Sequence, residues 1–339
     1  MSRGILSLLA MLSVAVALPC SGQRNDPYQY FRLGNPSDTH TKTQPGFALM
    51  GGGKDLDDAF RWLCERSGGG DFLVLRATGD GDYDPYIQGL CKLNSVATVV
   101  IPNRTATRDP FVVEKIRNAG ALFIAGGDQA NYINFWMGTP VQVELNAAIE
   151  RGVPIGGTSA GLAVLSEYAY SAQGDKTDDP NLDGKTALAD PFNARVSLVS
   201  GFLDIPILKN VITDTHFAKR DRMGRLVVFL ARLNQPDNAS TSNPLEIRGI
   251  GVEERAAVML EPDGRAKIIG HGSAYFVTLT EKAEVLAPAK PLTLRAIDVE
   301  RVPAGRAFNL KTWTGEAARY TLSAEAGQLH STQVDGKIY

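Results

Sequence analysis

The stretch Val153-Pro154-Ile155-Gly156-Gly157-Thr158-Ser159-Ala160-Gly161-Leu162-Ala163-Val164-Leu165 decides how this chain is read. An apolar, strand-like entry runs into Gly157-Thr158-Ser159-Ala160-Gly161 and leaves through helix-forming residues. Glycines on both sides of a serine let the backbone turn sharply from strand to helix. The serine hydroxyl is then lifted out of a sheet, with a helix N-terminus beneath it. Backbone N–H groups at such a turn can hold an oxyanion. Ser159 is therefore the first candidate nucleophile, with Ala160 as an oxyanion donor. The same string also serves as a plain strand-to-helix turn, so its neighbours must decide between the two.

Upstream, short apolar runs alternate with amphipathic segments. Strands are expected at 47–50, 72–75, 96–101 and 121–125, and helices at 56–66, 86–93 and 112–118, with helix-like runs to 150. That rhythm predicts an α/β fold, a parallel sheet flanked by helices. Ligands of such sheets sit beyond the carboxyl ends of the strands. Gly51-Gly52-Gly53 follows the first strand, Gly126-Gly127-Asp128-Gln129 the fourth and Ser159 the fifth. Gly52 and Gly53 are further oxyanion candidates. The Gly51–Gly53 run has no Gly-Lys-Ser/Thr ending, which argues against a phosphate loop. Beyond Gly201 a strand ends at His216 and a helix is expected over 220–234. From Ile247 onward short alternating runs predict β-structure.

The chain opens with Arg3, an apolar run from Ile5 to Leu18 and small residues at 20–22, the layout of a secretory signal peptide. The expected organisation is a signal peptide at 1–22, a polar leader at 23–45, an α/β domain at 46–285 and a β-rich C-terminal extension at 286–339. The protein is expected to be exported, to the periplasm or the medium, with no membrane attachment after cleavage. A net charge of −2, from 35 basic and 37 acidic residues, gives no pull towards nucleic acid. Of three cysteines only Cys64 and Cys91 outlast cleavage, and the sequence leaves open whether they bond. Asn103-Arg104-Thr105 and Asn238-Ala239-Ser240 match the glycosylation sequon. No Cys/His spacing resembles a zinc site, so neither metal nor cofactor is expected. The oligomeric state is open, a homodimer included.

A serine needs a base, normally a histidine oriented by a carboxylate. The chain has four histidines. His40 lies in the leader and His330 among polar residues near the end. His216 ends a predicted strand and is favoured over its rival His271. The run Gly249-Ile250-Gly251-Val252-Glu253-Glu254 delivers adjacent carboxylates at another strand end, and alternation lets only one of them orient an imidazole. Which of Glu253 and Glu254 does so is open, with Glu254 preferred. Three arginines, Arg220, Arg222 and Arg225, follow His216 within nine residues, and guanidinium forks suit a substrate bearing carboxylates.

Four motifs in order, the Gly-Gly-Thr-Ser-Ala-Gly elbow, Gly-Gly-Asp-Gln, Asp-x-His-Phe with its spaced arginines, and Gly-Ile-Gly-x-x-Glu, make residues 46–280 resemble the cyanophycinases. These are serine exopeptidases related to aspartyl dipeptidase, with a fold similar to class I glutamine amidotransferases. The resemblance implies Ser159 as nucleophile, His216 as general base and Glu254 as its orienting acid. It places Gln129, Asp128, Asp214, Thr215, Arg220, Arg222 and Arg225 at the substrate pocket. The substrate it implies is cyanophycin, a poly-aspartate with arginine on each β-carboxyl, cut to β-Asp-Arg dipeptides. Thr215 departs from the glutamine usual in that family and bears on substrate preference. Alternatives are an exported aspartyl dipeptidase or isopeptidase using the same triad, an α/β-hydrolase esterase, or a non-catalytic binding protein on the same scaffold.

Overall fold

The computed structural model describes residues 26–174, 182–235 and 245–339. The expected signal peptide and the Asn238 sequon lie outside these. Among the described residues two sheets organise the chain, one of ten strands and one of eight. The centre of the first is parallel, in the spatial order Ser95–Val100, Asp71–Arg76, Ala121–Ile124, Ile155–Thr158 and Phe47–Met50. These strands read as unbroken apolar runs because both faces are covered.

Alternation along each strand divides its side chains between two cores. Phe47, Leu49, Leu73, Leu75, Leu122 and Ile124 join Trp136, Val141 and Leu145 on one face. Ala48, Met50, Phe72, Val74, Ala121 and Phe123 join Phe60 and Leu63 of the Asp57–Arg66 helix on the other. Each fully buried side chain of this size contributes about 1.5–3 kcal/mol. On that second face Cys64 and Cys91 form a disulfide with Cα atoms 6.2 Å apart, tying this helix to the end of the Tyr83–Leu90 helix.

The mixed α/β class read from the sequence is what the structure has, but one parallel sheet does not account for all of it. The second sheet runs in the order Gln328–Ser331, Ala318–Glu325, Leu294–Pro303, Ser273–Leu279, Arg248–Val252, Val211–Asp214, Tyr168–Tyr170, Leu198–Ser200. It is parallel only where Val211–Asp214 meets its two neighbours. The Met223–Leu233 helix packs on it and is buried along almost its whole length. The expected C-terminal extension is woven into both sheets, since Leu294–Pro303 pairs with Ser273–Leu279 and Ala307–Asn309 pairs with Arg265–Gly270. The polar leader also holds a strand the sequence did not suggest. Gln29–Gly34 pairs antiparallel with Ser95–Val100, and Arg32 is anchored by Asp38 and Asp71. Backbone pairing, the Arg32 ion pairs and Tyr30 packed on Phe111 hold it, with no regular apolar alternation for periodicity to find.

Candidate active site

Three carboxyl ends of neighbouring parallel strands converge: Gly51–Gly53 after Phe47–Met50, Ser159 after Ile155–Thr158, and Gly126–Asp128 after Ala121–Ile124. Ser159 has φ 51° and ψ −117°, a conformation costly for a residue with a side chain, which the elbow enforces. The flanking glycines permit it. A Cβ on Gly161 would stand 1.9 Å from the Ile124 carbonyl oxygen, and one on Gly157 would stand 2.6 Å from the Gly161 backbone. The Ser159 amide donates to Met50 O at 3.2 Å, which leaves the next residue, Ala160, to face a substrate. Beneath the elbow, Thr158 and Tyr83 each donate to Asp55 at 2.6 Å, and burial raises the Asp55 pKa.

His216 and Glu254 come from the second sheet. His216 follows Val211–Asp214, with φ 46° and its amide fixed to Gly51 O at 2.7 Å. Glu254 lies on the crossing between Arg248–Val252 in the second sheet and Ala256–Leu260 in the first. Ser159 Oγ and His216 Nε2 are 2.7 Å apart, and His216 Nδ1 and Glu254 Oε1 are also 2.7 Å apart. A neutral imidazole between these partners donates from Nδ1 to the carboxylate and accepts from the hydroxyl at Nε2. Burial lowers the His216 pKa, opposed by the Glu254 hydrogen bond and assisted by Arg220 and Arg222. The ring is thus kept neutral, able to take a proton.

The neighbouring Glu253 points elsewhere, its carboxylate accepting from Ser273 N at 2.8 Å and Tyr275 OH at 2.7 Å. The pair the sequence left open is divided between two sheet faces. His271, His40 and His330 are exposed, and His216 is the buried histidine.

A cavity of about 270 Å³ opens on Ser159, lined by Gly127, Asp128, Gln129, Ala160, Tyr170, Ala172, Thr215, His216, Arg220, Arg222 and Arg225. Arg220 and Arg222 against the Asp128 carboxylate, with Arg225 already paired to Asp214, suit it to anionic groups. Asp128 also caps the Gln129–Trp136 helix, accepting from Ala130 N at 2.9 Å. Larger grooves of about 770 and 790 Å³ lie elsewhere, against Trp62 and Phe308 and against Phe47 and Ile207, without a nucleophile–base pair.

Not every residue expected at the pocket lines it. Asp214 is withdrawn behind the wall, where Arg225 Nε and Nη2 grip its carboxylate at 2.7 and 2.5 Å with both side chains almost fully buried. Arg222 donates to Thr215 O at 2.9 Å and Thr215 Oγ1 at 3.1 Å, so the threonine holds this arginine. Burial, with Arg225 nearby, lowers the Arg222 pKa to about 10, leaving it charged at neutral pH. Gly52 stands beside the nucleophile, a Cβ there falling 3.1 Å from Ser159 Cβ. It gives room to the imidazole, a Cβ there standing 2.6 Å from the ring, and Gly53 lies against Glu254. Gly127 also faces the cavity. Sequence reading missed Tyr170, whose ring lies 4.8 Å from the Arg225 guanidinium. The alternating run Tyr168-Ala169-Tyr170 just after the elbow was the available signal.

Residues 48–191 match Peptidase family S51, a span that contains Ser159 and stops before His216. A cyanophycinase of Synechococcus elongatus is 25% identical over 308 residues, covering 85% of this chain and 86% of that protein. One from Geminocystis herdmanii is 27% identical over 273 residues, 77% of this chain and 89% of that protein. One from Trichormus variabilis is 29% identical over 229 residues, 66% and 68% respectively. The crystal structure of a peptidase from an acI-B1 Actinobacterium shares the fold, with a TM-score of 0.50 over 79% of this chain and 98% of that one at 16% identity. The chain is a serine-type peptidase similar to the cyanophycinases, and the residues that match family S51, 48–191, build the parallel sheet and the elbow.

Proposed function

We propose that this protein is an exported serine exopeptidase that hydrolyses cyanophycin to β-Asp-Arg dipeptides through an acyl-enzyme on Ser159. The observation that carries the reading is the unbroken hydrogen-bond chain Ser159–His216–Glu254 at the floor of an arginine-lined cavity. His216 Nε2 takes the Ser159 proton as Oγ attacks the peptide carbonyl. The N–H groups of Ala160 and of a glycine in Gly51–Gly53 receive the developing oxyanion. His216 then passes its proton to the leaving amine, the C–N bond breaks and an ester on Ser159 remains. A water, deprotonated by the same nitrogen, attacks the ester and returns the serine. Glu254 holds the imidazole in the required tautomer and offsets its charge when protonated. Arg220 and Arg222 meet aspartate carboxylates of the substrate, while Arg225, held by Asp214, shapes the wall.

Export is supported by the signal-like start and by the Cys64–Cys91 disulfide, which suits an oxidising compartment. A second reading, an aspartyl dipeptidase or isopeptidase, draws on Thr215, whose hydroxyl is engaged by Arg222 where the resembling family has glutamine. Mass spectrometry of products from insoluble cyanophycin, beside a panel of Asp-X dipeptides, separates them. β-Asp-Arg released by the unchanged protein and not by Ser159→Ala supports the proposal. Turnover of cyanophycin by Ser159→Ala at the original rate would refute it.

A further inference from the structure

Residues 216–223 carry the imidazole and two of the cavity arginines, yet form no regular element until the Met223–Leu233 helix begins. Two of them, His216 at φ 46° and Asp221 at φ 47°, occupy the left-handed region, which side-chain-bearing residues hold only when their surroundings over-determine it. One end is fixed by the sheet, through His216 N to Gly51 O at 2.7 Å and Phe217 N to Val252 O at 3.2 Å. The other end is held from far along the chain. Tyr339 OH donates to Asp221 Oδ1 at 3.0 Å and accepts from Met223 N at 2.9 Å, so one hydroxyl bridges the residues on both sides of Arg222. Its ring packs edge-on against Phe217 at 5.9 Å and Tyr275 at 5.7 Å, and Tyr275 in turn donates to Glu253, beside Glu254. The segment bearing Tyr339 is secured by Tyr320 OH donating to Ile338 O at 2.7 Å.

We propose that Tyr339 is a positioning residue for catalysis, its ring and hydroxyl clamping residues 217–223 so that His216 and Arg222 stay aimed at the Ser159 cavity. This rests on the reading of His216 as the base. It gives the C-terminal β-rich stretch, which the four motifs do not reach, a function in the site.

The test compares Tyr339→Phe, which keeps the ring packing and loses only the bridging hydroxyl, with Tyr339→Ala. The readouts are the rate of Ser159 labelling by a fluorophosphonate across pH, kcat and KM on cyanophycin, and thermal unfolding. The labelling rate of Tyr339→Phe should fall roughly threefold to tenfold, and that of Tyr339→Ala further, as a displaced base loses alignment. The acid limb of labelling should move up towards the ordinary histidine range. The charged groups facing His216 are Glu254 from the strand crossing and Arg220 and Arg222 from its own loop, and these stay while its burial relaxes. Unchanged labelling rate and acid limb in folded Tyr339→Phe, or a lowered melting temperature alone in both variants, would overturn the proposal. His216→Ala separates the two ideas. If it still labels at the original rate, the functional reading itself fails, whereas failure of the clamp alone leaves labelling dependent on His216 and indifferent to residue 339.

Discussion

Replacing Asp214 by asparagine tests whether this residue meets substrate or holds an arginine in place. Asp214 and Arg225 are each about 2% exposed and share two bonds of 2.5 and 2.7 Å, with Arg222 3.7 Å away. Removing one member of such a pair strands the other charge in the interior, at a cost of about 3–5 kcal/mol. With roughly two degrees lost per kcal/mol for a large domain, the melting temperature should drop by about 6–10 °C. The assay is thermal unfolding at neutral pH, run beside Arg225→Met and the double variant Asp214→Leu/Arg225→Met. Removing both charges leaves only Arg222 short of its more distant anion, so the double variant should lose less than the sum of the single losses. An Asp214→Asn protein that melts like the parent and shows only a raised KM would refute this reasoning and return Asp214 to the substrate.

Because the His216 pKa is lowered, the neutral base persists to lower pH than an ordinary histidine, and the acid limb of kcat/KM should lie below pH 6.5. Arg220→Gln removes a cation that depresses this pKa and should shift the limb upward in a pH–rate profile. Stability follows the same linkage. The unfolded chain binds the His216 proton more readily than the folded one, so this contribution is present above pH 6.5 and is lost as pH falls below it, as denaturant titrations at several pH values would read. Glu254→Gln should cut kcat by roughly 10²–10⁴-fold by upsetting the imidazole tautomer, with little loss of stability. Glu253→Gln should leave kcat near normal and cost about 1–3 kcal/mol through Tyr275 and Ser273. Reducing the Cys64–Cys91 bridge, which spans 27 residues, should cost about 3–4 kcal/mol in unfolding experiments while folded protein keeps its turnover.

Much of the first sheet was legible because its strands are short, largely apolar and separated by amphipathic helices, the pattern of parallel strands covered on both faces. The elbow was legible for a local reason: only glycine fits at 157 and 161, so the constraint is written in adjacent residues. The second sheet was read merely as β-rich, since antiparallel strands such as Leu294–Pro303 find partners that periodicity does not name. The leader strand Gln29–Gly34 was missed because backbone pairing, the Arg32 ion pairs and an aromatic contact with Phe111 hold it at the sheet edge without a regular apolar alternation.

By itself the sequence determined the α/β class, the turn that lifts Ser159 and a short choice of bases and acids, because each of these depends on neighbouring residues or on a repeating pattern. Only the tertiary structure decided that Glu254 and not Glu253 reaches His216, that Asp214 serves Arg225 and not the cavity, and that Tyr339 braces the histidine loop. The reason is physical. A hydrogen bond forms where two side chains meet within about 3 Å, and in this fold the partners are distant in the chain, 38 residues apart for His216 and Glu254 and 118 for Asp221 and Tyr339.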